Sequence, residues 1–454
     1  MRVFVAGATG VLGRRAVRAL VDQGHDVTAV VRSPAKAEVA RRSGAAPVEV
    51  SLFDPDALRA AVAGHDAVCN LATHIPPVTR AADPRSWHEN ERIRSEASRN
   101  LVDAALAAGA TRFVQESIAF LYGDHGDEWI DASTAQIDRS RFADSVKVAE
   151  SETARFAASG GRGVVLRFGE FIAPDSDHTL TVLRSARLGI AAEPGRPEGW
   201  FPSIGADDAA SAVVAALEAP SGTYDVVNDE PLTRGETRSV LAAAVGRRRL
   251  FTMPIAKRVV GPLADSQRVS NRRFRDATGW APRMTGLRDG WPETTRAAGI
   301  EPALNGRARL LLWLMAFGQL GVGVQALFTP RSFYDDFPLG RGWIAMDGPY
   351  NQHLVRDVGS LNLALVVLAF AALIVSTRAM ARSAAIVWLV NALPHFLYHL
   401  RHLGMHGMAA GDKVGIAVTL GAAVALPVLL LLVTPRRVAG VLAPEGAAAR
   451  SVKV

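Results

Sequence analysis

Apolar positions along the chain follow two regimes that change over near residue 300. In the first regime, short apolar runs alternate with longer stretches of helical spacing. Residues 2–6 (RVFVA) and 27–31 (VTAVV) are β-branched runs suited to buried strands, and 11–23 between them carry helical spacing ended by Gly24. VEVSLF (48–53), AVCNLA (67–72), RFVQES (112–117) and GVVLRFG (163–169) read as further strands, with helices near 56–63, 90–108 and 141–158. That alternation predicts an α/β fold: a Rossmann-type, doubly wound parallel sheet that takes its ligand at the strands' carboxyl ends.

The second regime consists of four long apolar segments, 310–328, 358–376, 384–400 and 414–434. Three of them have 19 to 21 residues, close to the ~20 that cross a bilayer. The third is shorter and holds Asn391, Pro394 and His395. An all-α four-helix transmembrane bundle is the expectation for this part. The boundaries read from the pattern are 1–302 for the α/β domain, 303–309 for a linker, 310–435 for the bundle and 436–454 for a tail. No apolar stretch precedes the first strand, so a cleavable signal peptide is not expected.

Composition changes this picture little. Hydrophobic residues make up 49% of the chain, and the formal charge is +7. The basic residues are scattered apart from Arg247, Arg248 and Arg249, a solvated turn that gives no ground for nucleic-acid binding. A single cysteine, Cys69, excludes an internal disulfide and suits a reducing compartment.

The candidate chemistry begins between the first strand and the first helix. Gly7, Ala8, Thr9, Gly10, Val11, Leu12 and Gly13 form a G-x-x-G-x-x-G loop. Glycine there lets the backbone approach a pyrophosphate that rests on the positive helix N-terminus. The second strand ends in Val31-Arg32-Ser33 where NAD-preferring sites carry an acid for the ribose hydroxyl. A guanidinium can pair with a 2′-phosphate instead. The expected cofactor is therefore NADP(H), with NAD(H) as the second choice.

The first 300 residues resemble the extended short-chain dehydrogenase/reductases, the NAD-dependent epimerase/dehydratase group. The resemblance rests on GATGVLG, the Asp54 of LFDPDAL, NLATHIPP (70–77), SIAFLYGD (117–124), RFADSVKVAE (141–150), LRFGEFIAP (166–174) and IGADDAASAVVAALE (204–218). It implies that Asp54 binds near adenine, that Leu71 and Ala72 line the cofactor cleft, and that residues 170–300 build a smaller substrate domain. It also implies a tyrosine acid/base, a lysine four residues on that lowers its pKa, and a serine that orients the reacting group. This sequence departs from that pattern. Phe142 stands where the tyrosine belongs and Val146 where the lysine belongs, with Lys147 one residue late. Ser117 lies one position before the expected serine.

Three readings follow. Ser117 and Lys147 could act from shifted positions, with Tyr122 or His74 as proton donor. Solvent or substrate could supply the proton. The domain could also bind NADP(H) without chemistry, as a sensor coupled to the bundle. Asp207 and Asp208 read as helix-start acids.

In the apolar half, His395, His399, His402 and His406 follow a 4-3-4 spacing that puts them on one helical face. His353, Arg356 and Asp357 are expected close by. A metal or haem site built on His395, His399 and His402 competes here with a hydrogen-bonded interfacial cluster. This half is loosely similar to small four-span DoxX-like bacterial proteins, a likeness that implies a separate folding unit and no activity. Four spans return both termini to one side, the cytosolic face of a bacterial-type cytoplasmic membrane. A weak excess of arginine at that end agrees. The expectation is a multi-pass, membrane-anchored oxidoreductase or epimerase/dehydratase-like enzyme, its substrate small and lipid-like or sugar-derived. Oligomeric state stays open.

Overall fold

A computed structural model describes residues 1–76, 80, 83–137, 141–192, 194–253, 261–346, 348–403 and 409–435, the side chains of 141 and 142 excepted. The tail expected over 436–454, and His406, lie outside the described residues. The chain divides into two compact units, Met1–Glu301 and Pro302–Val454.

The first unit is built on a seven-stranded parallel sheet. Its strands are β1 (Arg2–Ala6), β2 (Asp26–Val31), β3 (Ala46–Glu49), β4 (Ala67–Asn70), β5 (Arg112–Ile118), β6 (Arg162–Phe168) and β7 (Gly222–Val226). They lie in the order β7-β6-β5-β4-β1-β2-β3, the doubly wound arrangement. The connecting helices include α1 (Val11–Asp22), α2 (Pro34–Arg42), α3 (Pro55–Val62), α4 (Ser98–Ala107), α5 (Arg141–Ala158), α6 (Asp177–Leu188) and α7 (Ala206–Ala216). Both faces of the sheet are covered, so its central strands are buried end to end and Cys69 on β4 has no exposure. Helix α1 buries Leu12, Ala16, Val17 and Leu20, each large side chain contributing about 1.5–3 kcal/mol.

Local differences from the sequence pattern have physical causes. The third strand stops at Glu49, and Leu52–Phe53 turn into Asp54, which caps α3 by accepting from the Ala57 amide at 3.0 Å. The helix expected over 90–108 contains a wide turn at Ile93–Ala97 before α4 resumes. Strand β7 is short and carries a charge, so it escapes an apolar-run reading.

In the second unit, helices Gly306–Phe328, Gln352–Val375, Arg378–His402 and Ala410–Val433 are each long and apolar enough to cross a membrane. At 1.5 Å per residue they run roughly 35–37 Å, against about 30 Å of hydrocarbon. The first packs on the second and fourth, and the third on the same two, closing a ring. Small residues allow close approach: a Cβ on Gly359 would meet the Leu327 amide at 2.5 Å. Leu310, Trp313, Phe317, Val367, Ile374 and Leu432 face outward. Two arginines cap neighbours at one end. Arg309 donates to the Leu373 carbonyl at 3.5 Å, and Arg382 to those of Leu431 and Thr434 at 3.1 and 2.7 Å. Part of the 303–309 stretch is itself built into this unit. Leu304 is buried, its amide donates to Ser376, and Asn305 caps the first helix.

The histidine face is present on the third helix. The rings of His395 and His399 lie edge to face at 4.7 Å, and His402 Nδ1 is 2.6 Å from the Tyr398 carbonyl. His353 pairs with Asp357 at 3.2 Å. Among the described residues, no three His, Cys, Asp or Glu side chains converge as a metal site.

Candidate active site

The glycine loop joins β1 to α1 by a turn in which the Gly10 amide donates to the Gly7 carbonyl at 3.1 Å. Gly7 sits at φ +76°, and a Cβ there would lie 2.4 Å from the Leu71 carbonyl. A Cβ on Gly13 would lie 2.0 Å from the Gly7 carbonyl, so the helix can press on the loop only without one. Gly10 differs: its Cβ would meet nothing nearer than Gly7 O at 3.4 Å, and it is exposed. It also caps α1 with no side-chain hydrogen bond, leaving the first helical amides to an outside acceptor. Loop and helix end together fit a pyrophosphate. Ala8 and Leu12 are buried beneath the loop, while Thr9 and Val11 are half-exposed at its rim.

Around this loop the other expected cofactor residues fall at one sheet edge. Arg32 is exposed at the end of β2, and Asp54 stands at the start of α3. Leu71 and Ala72 leave β4 buried. The Ala72 amide donates to Asn70, whose side-chain amide donates in turn to Ser98 and Gln115, each at 3.0 Å. His74, on the same loop, is exposed, and its amide donates to Asn90 at 2.9 Å.

The positions expected for the dyad, Phe142 and Val146, both lie on α5. Val146 is 1% exposed and packs with Leu121 and Ala143, an apolar seat in which an ammonium would find no partner. The side chain of Phe142 lies outside the described residues. Lys147 is half-buried on α5 and interacts with its surroundings. One turn on, Glu150 takes over. It accepts the Ser117 hydroxyl at 2.6 Å and a bidentate pair from Arg167 at 2.8 and 2.7 Å. Arg167 also donates to the Tyr122 hydroxyl at 2.8 Å, which donates to Asp225 at 2.6 Å. The second Asp225 oxygen accepts the Ala132 amide at 2.8 Å.

Register explains this chain of contacts. Ser117 pairs with Arg167 and Arg167 with Asp225 on three adjacent parallel strands, so all three side chains leave the same face near the carboxyl ends. Burial pushes Asp225 up to about 7 and raises the Tyr122 phenol well above its usual value, with Asp225 adding to the latter. Burial opposes the charge on Arg167, but its bonds to Glu150 outweigh that and hold it firmly protonated. A second buried pair lies alongside, in which Arg94 Nη2 donates to both Glu116 carboxylate oxygens at 3.0 Å, and burial still raises the carboxyl. Ser117 is therefore a committed donor to Glu150, and Tyr122 is a poor acid. Neither is presented as a proton source.

The sequence reading missed Glu150, Arg167 and Asp225. For Arg167 and Asp225 the signal was a charge inside an otherwise apolar strand, in GVVLRFG and GTYDVV, whereas Glu150 lies on α5. Asp207 and Asp208 lie in the first turn of α7, as helix-start acids, although the N-cap itself is Gly205 with no side-chain bond. Asp207 pairs with Arg15 at 2.7 Å, and buried Asp208 accepts the Arg283 and Met284 amides, both at 2.9 Å.

Comparison with known proteins agrees with this geometry. Residues 7–220 match a family model described as NAD(P)H-binding. A 3-diazoavenalumate denitrifying reductase of Streptomyces sp. is 32% identical over 306 residues, 64% of this chain and 99% of that protein. The chain belongs to the NAD(P)H-binding epimerase/reductase family. The human epimerase family protein SDR39U1 is 27% identical over 266 residues, 56% of this chain and 84% of that one. Its crystal structure with NADPH covers 65% of this chain and 99% of its own, at TM-score 0.56 and 26% identity. A Thermus thermophilus UDP-glucose 4-epimerase in complex with NAD shares the fold at TM-score 0.55 and 22% identity, covering 66% of this chain and 99% of its own. Members of this fold thus hold either cofactor, and each of these matches leaves a third or more of this chain uncovered.

Proposed function

We propose that the chain is an NADP(H)-dependent reductase held at a membrane by its four apolar helices. The observation that carries this reading is the intact glycine loop under an uncapped α1, beside a site from which the tyrosine–lysine dyad has gone. Epimerases and dehydratases need an acid/base at that place to remove and return protons. A reductase needs a hydride and one proton, which any well-placed acid can give. The reductase of Streptomyces that resembles this chain over nearly its own full length favours the same class. When bound, the reduced nicotinamide supplies the hydride. The loop from Gly7 to Gly13 holds the pyrophosphate, Asp54 lies toward adenine, and Leu71 and Ala72 wall the cleft. Ser117, fixed by Glu150, shapes its floor.

Arg32 selects the phosphorylated cofactor in this reading. Full-length protein in detergent is expected to bind NADPH at least tenfold more tightly than NADH, about 1.4 kcal/mol, and Arg32→Ala to erase most of that difference. Fluorescence titration measures it, and equal wild-type affinities would refute the preference. Turnover of NADPH with a reducible substrate separates a reductase from a cofactor sensor.

The membrane reading places both termini and the α/β unit on the cytosolic side, acting on a small lipid-like or sugar-derived substrate. Leu339 lies fully exposed between the first two long helices, and Ala379 is exposed at the start of the third. In intact cells, Leu339→Cys should react with an impermeant maleimide. Ala379→Cys should react only after the membrane is opened, and the reverse pattern would invert the topology.

A further inference from the structure

We infer that His178, paired with Glu170, is the proton donor of the reductive step, an inference that rests on the reductase reading above. Its position comes from two fixed points. Strand β6 ends at Phe168, the register partner of Ile118, which follows Ser117. The Gly169 amide then donates to Val226 at the end of β7, and Glu170–Ile172 continues as a short strand parallel to Ser203–Gly205. Glu170 therefore stands just past the carboxyl ends of the strands that carry Ser117 and Arg167.

The chain next turns through residues 173–176 into α6. There Asp175 accepts Arg14 and Arg15, each at 2.6 Å, from the turn of α1 that follows the glycine loop. His178 follows three residues on, in the first turn of α6. Its Nε2 lies 2.7 Å from Glu170 Oε1, which leaves Nδ1 to face a substrate. The imidazole side chain is 45% exposed, so water can restore its proton.

Charge decides its protonation state. Glu170 holds the imidazole above its usual pKa, against the cost of burial. The N-terminus of α6 opposes the positive charge, but the close Glu170 carboxylate outweighs it. The remaining charged groups nearby are Asp177 on α6 itself and Asp175, Arg14, Arg15 and Asp207, which pair among themselves. His74, across the cleft, has no carboxylate within ion-pair distance among the described residues.

In the step, the hydride from C4 of the dihydronicotinamide adds to the electrophilic end of a polarised double bond in the substrate. The pair of electrons displaced onto the other end takes the proton from His178 Nδ1. The cofactor leaves oxidised, the substrate leaves with two added hydrogens, and the neutral imidazole regains its proton from water.

The test uses full-length protein in detergent and diethyl pyrocarbonate, which modifies neutral imidazole, with mass spectrometry to follow His178. His353, 85% exposed in the other unit, is the internal control. The pH midpoint of His178 modification should lie above the ordinary 6.5 and fall in Glu170→Gln. Saturating NADPH, its occupancy read by nicotinamide fluorescence, should slow modification of His178 at least about tenfold and leave His353 unchanged. With 9,10-phenanthrenequinone as probe, His178→Gln should lower kcat by about a hundredfold, abolish its alkaline decline and spare the KM for NADPH. Full NADPH occupancy without protection, a midpoint unmoved in Glu170→Gln, or a wild-type pH profile in His178→Gln would overturn the assignment. Absence of NADPH binding would instead sink the reductase reading, and bound NADPH that leaves the quinone unreduced counts against both.

Discussion

Alanine at Gly13 is expected to abolish NADPH binding and unfold the α/β unit at lower temperature, whereas alanine at Gly10 should weaken binding alone. At position 13 the new carbon would sit 2.0 Å from the Gly7 carbonyl oxygen and 2.8 Å from the Ala8 carbonyl carbon. Both are backbone atoms, so no side chain can move aside, and α1 must back away from the loop it packs on. A core displacement of that kind costs about 3 kcal/mol or more. At position 10 the backbone has an ordinary φ of −74°, and the nearest atom is at 3.4 Å. The folded chain accepts that methyl, and reduced freedom of the unfolded chain offsets part of any loss. The methyl does occupy the space through which a phosphate meets the first amides of α1. Affinity should fall by roughly a hundredfold, about 2.7 kcal/mol. Nicotinamide fluorescence and thermal melts of the same samples measure both effects. A Gly10→Ala protein that binds NADPH normally would mean that the loop is not the phosphate site.

Arg167→Met should be the most destabilising substitution at the carboxyl end of the sheet. It removes the guanidinium that joins Glu150 to Tyr122 and leaves a largely buried carboxylate with, among the described residues, only the Ser117 hydroxyl. Breaking a buried pair from one side costs about 3–5 kcal/mol. The double variant Arg167→Met with Glu150→Gln should recover much of that, because the stranded charge is gone. Ser117→Ala, which deletes one hydrogen bond, should cost only about 1 kcal/mol. Denaturant unfolding followed by tryptophan fluorescence distinguishes the three. Equal stability for Arg167→Met and wild type would show that the contacts around Glu150 carry no net energy.

The sequence made the framework legible because the framework repeats a simple pattern. Apolar strands at β1, β2, β4 and β5, helical spacing between them and the glycine triplet are local signals, and each is found where expected. Phe142 and Val146 can be set directly against the motif in sequence, and Val146 is buried in an apolar seat. The polar contacts nearby could not be read in the same way. Glu150, Arg167 and Asp225 are 17 and 58 residues apart along the chain and meet only through parallel register. Glu170 and His178 are neighbours in sequence, yet their value depends on the turn that Asp175 pins to α1. A short strand with a central charge, such as β7, looks like a loop until its neighbours cover it. The helices of the second unit were plain from length and apolarity, except that the third extends beyond 384–400 to Arg378–His402. Pro394 and the histidines lower its apolar average without ending it, because lost backbone bonds in a bundle can be met by neighbours.

The burial of Cys69 makes this chain almost inert as a thiol. Lack of solvent pushes its pKa up to about 12, so the reactive thiolate is scarce at neutral pH. Oxidants and maleimides meet a protein that behaves as though it had no cysteine. Any cysteine placed at the surface therefore becomes the sole handle without further engineering. Two such handles, one on the sheet unit and one on the helical unit, could carry a donor and an acceptor dye. Energy transfer between them would follow, in real time, whether the two units move when cofactor arrives.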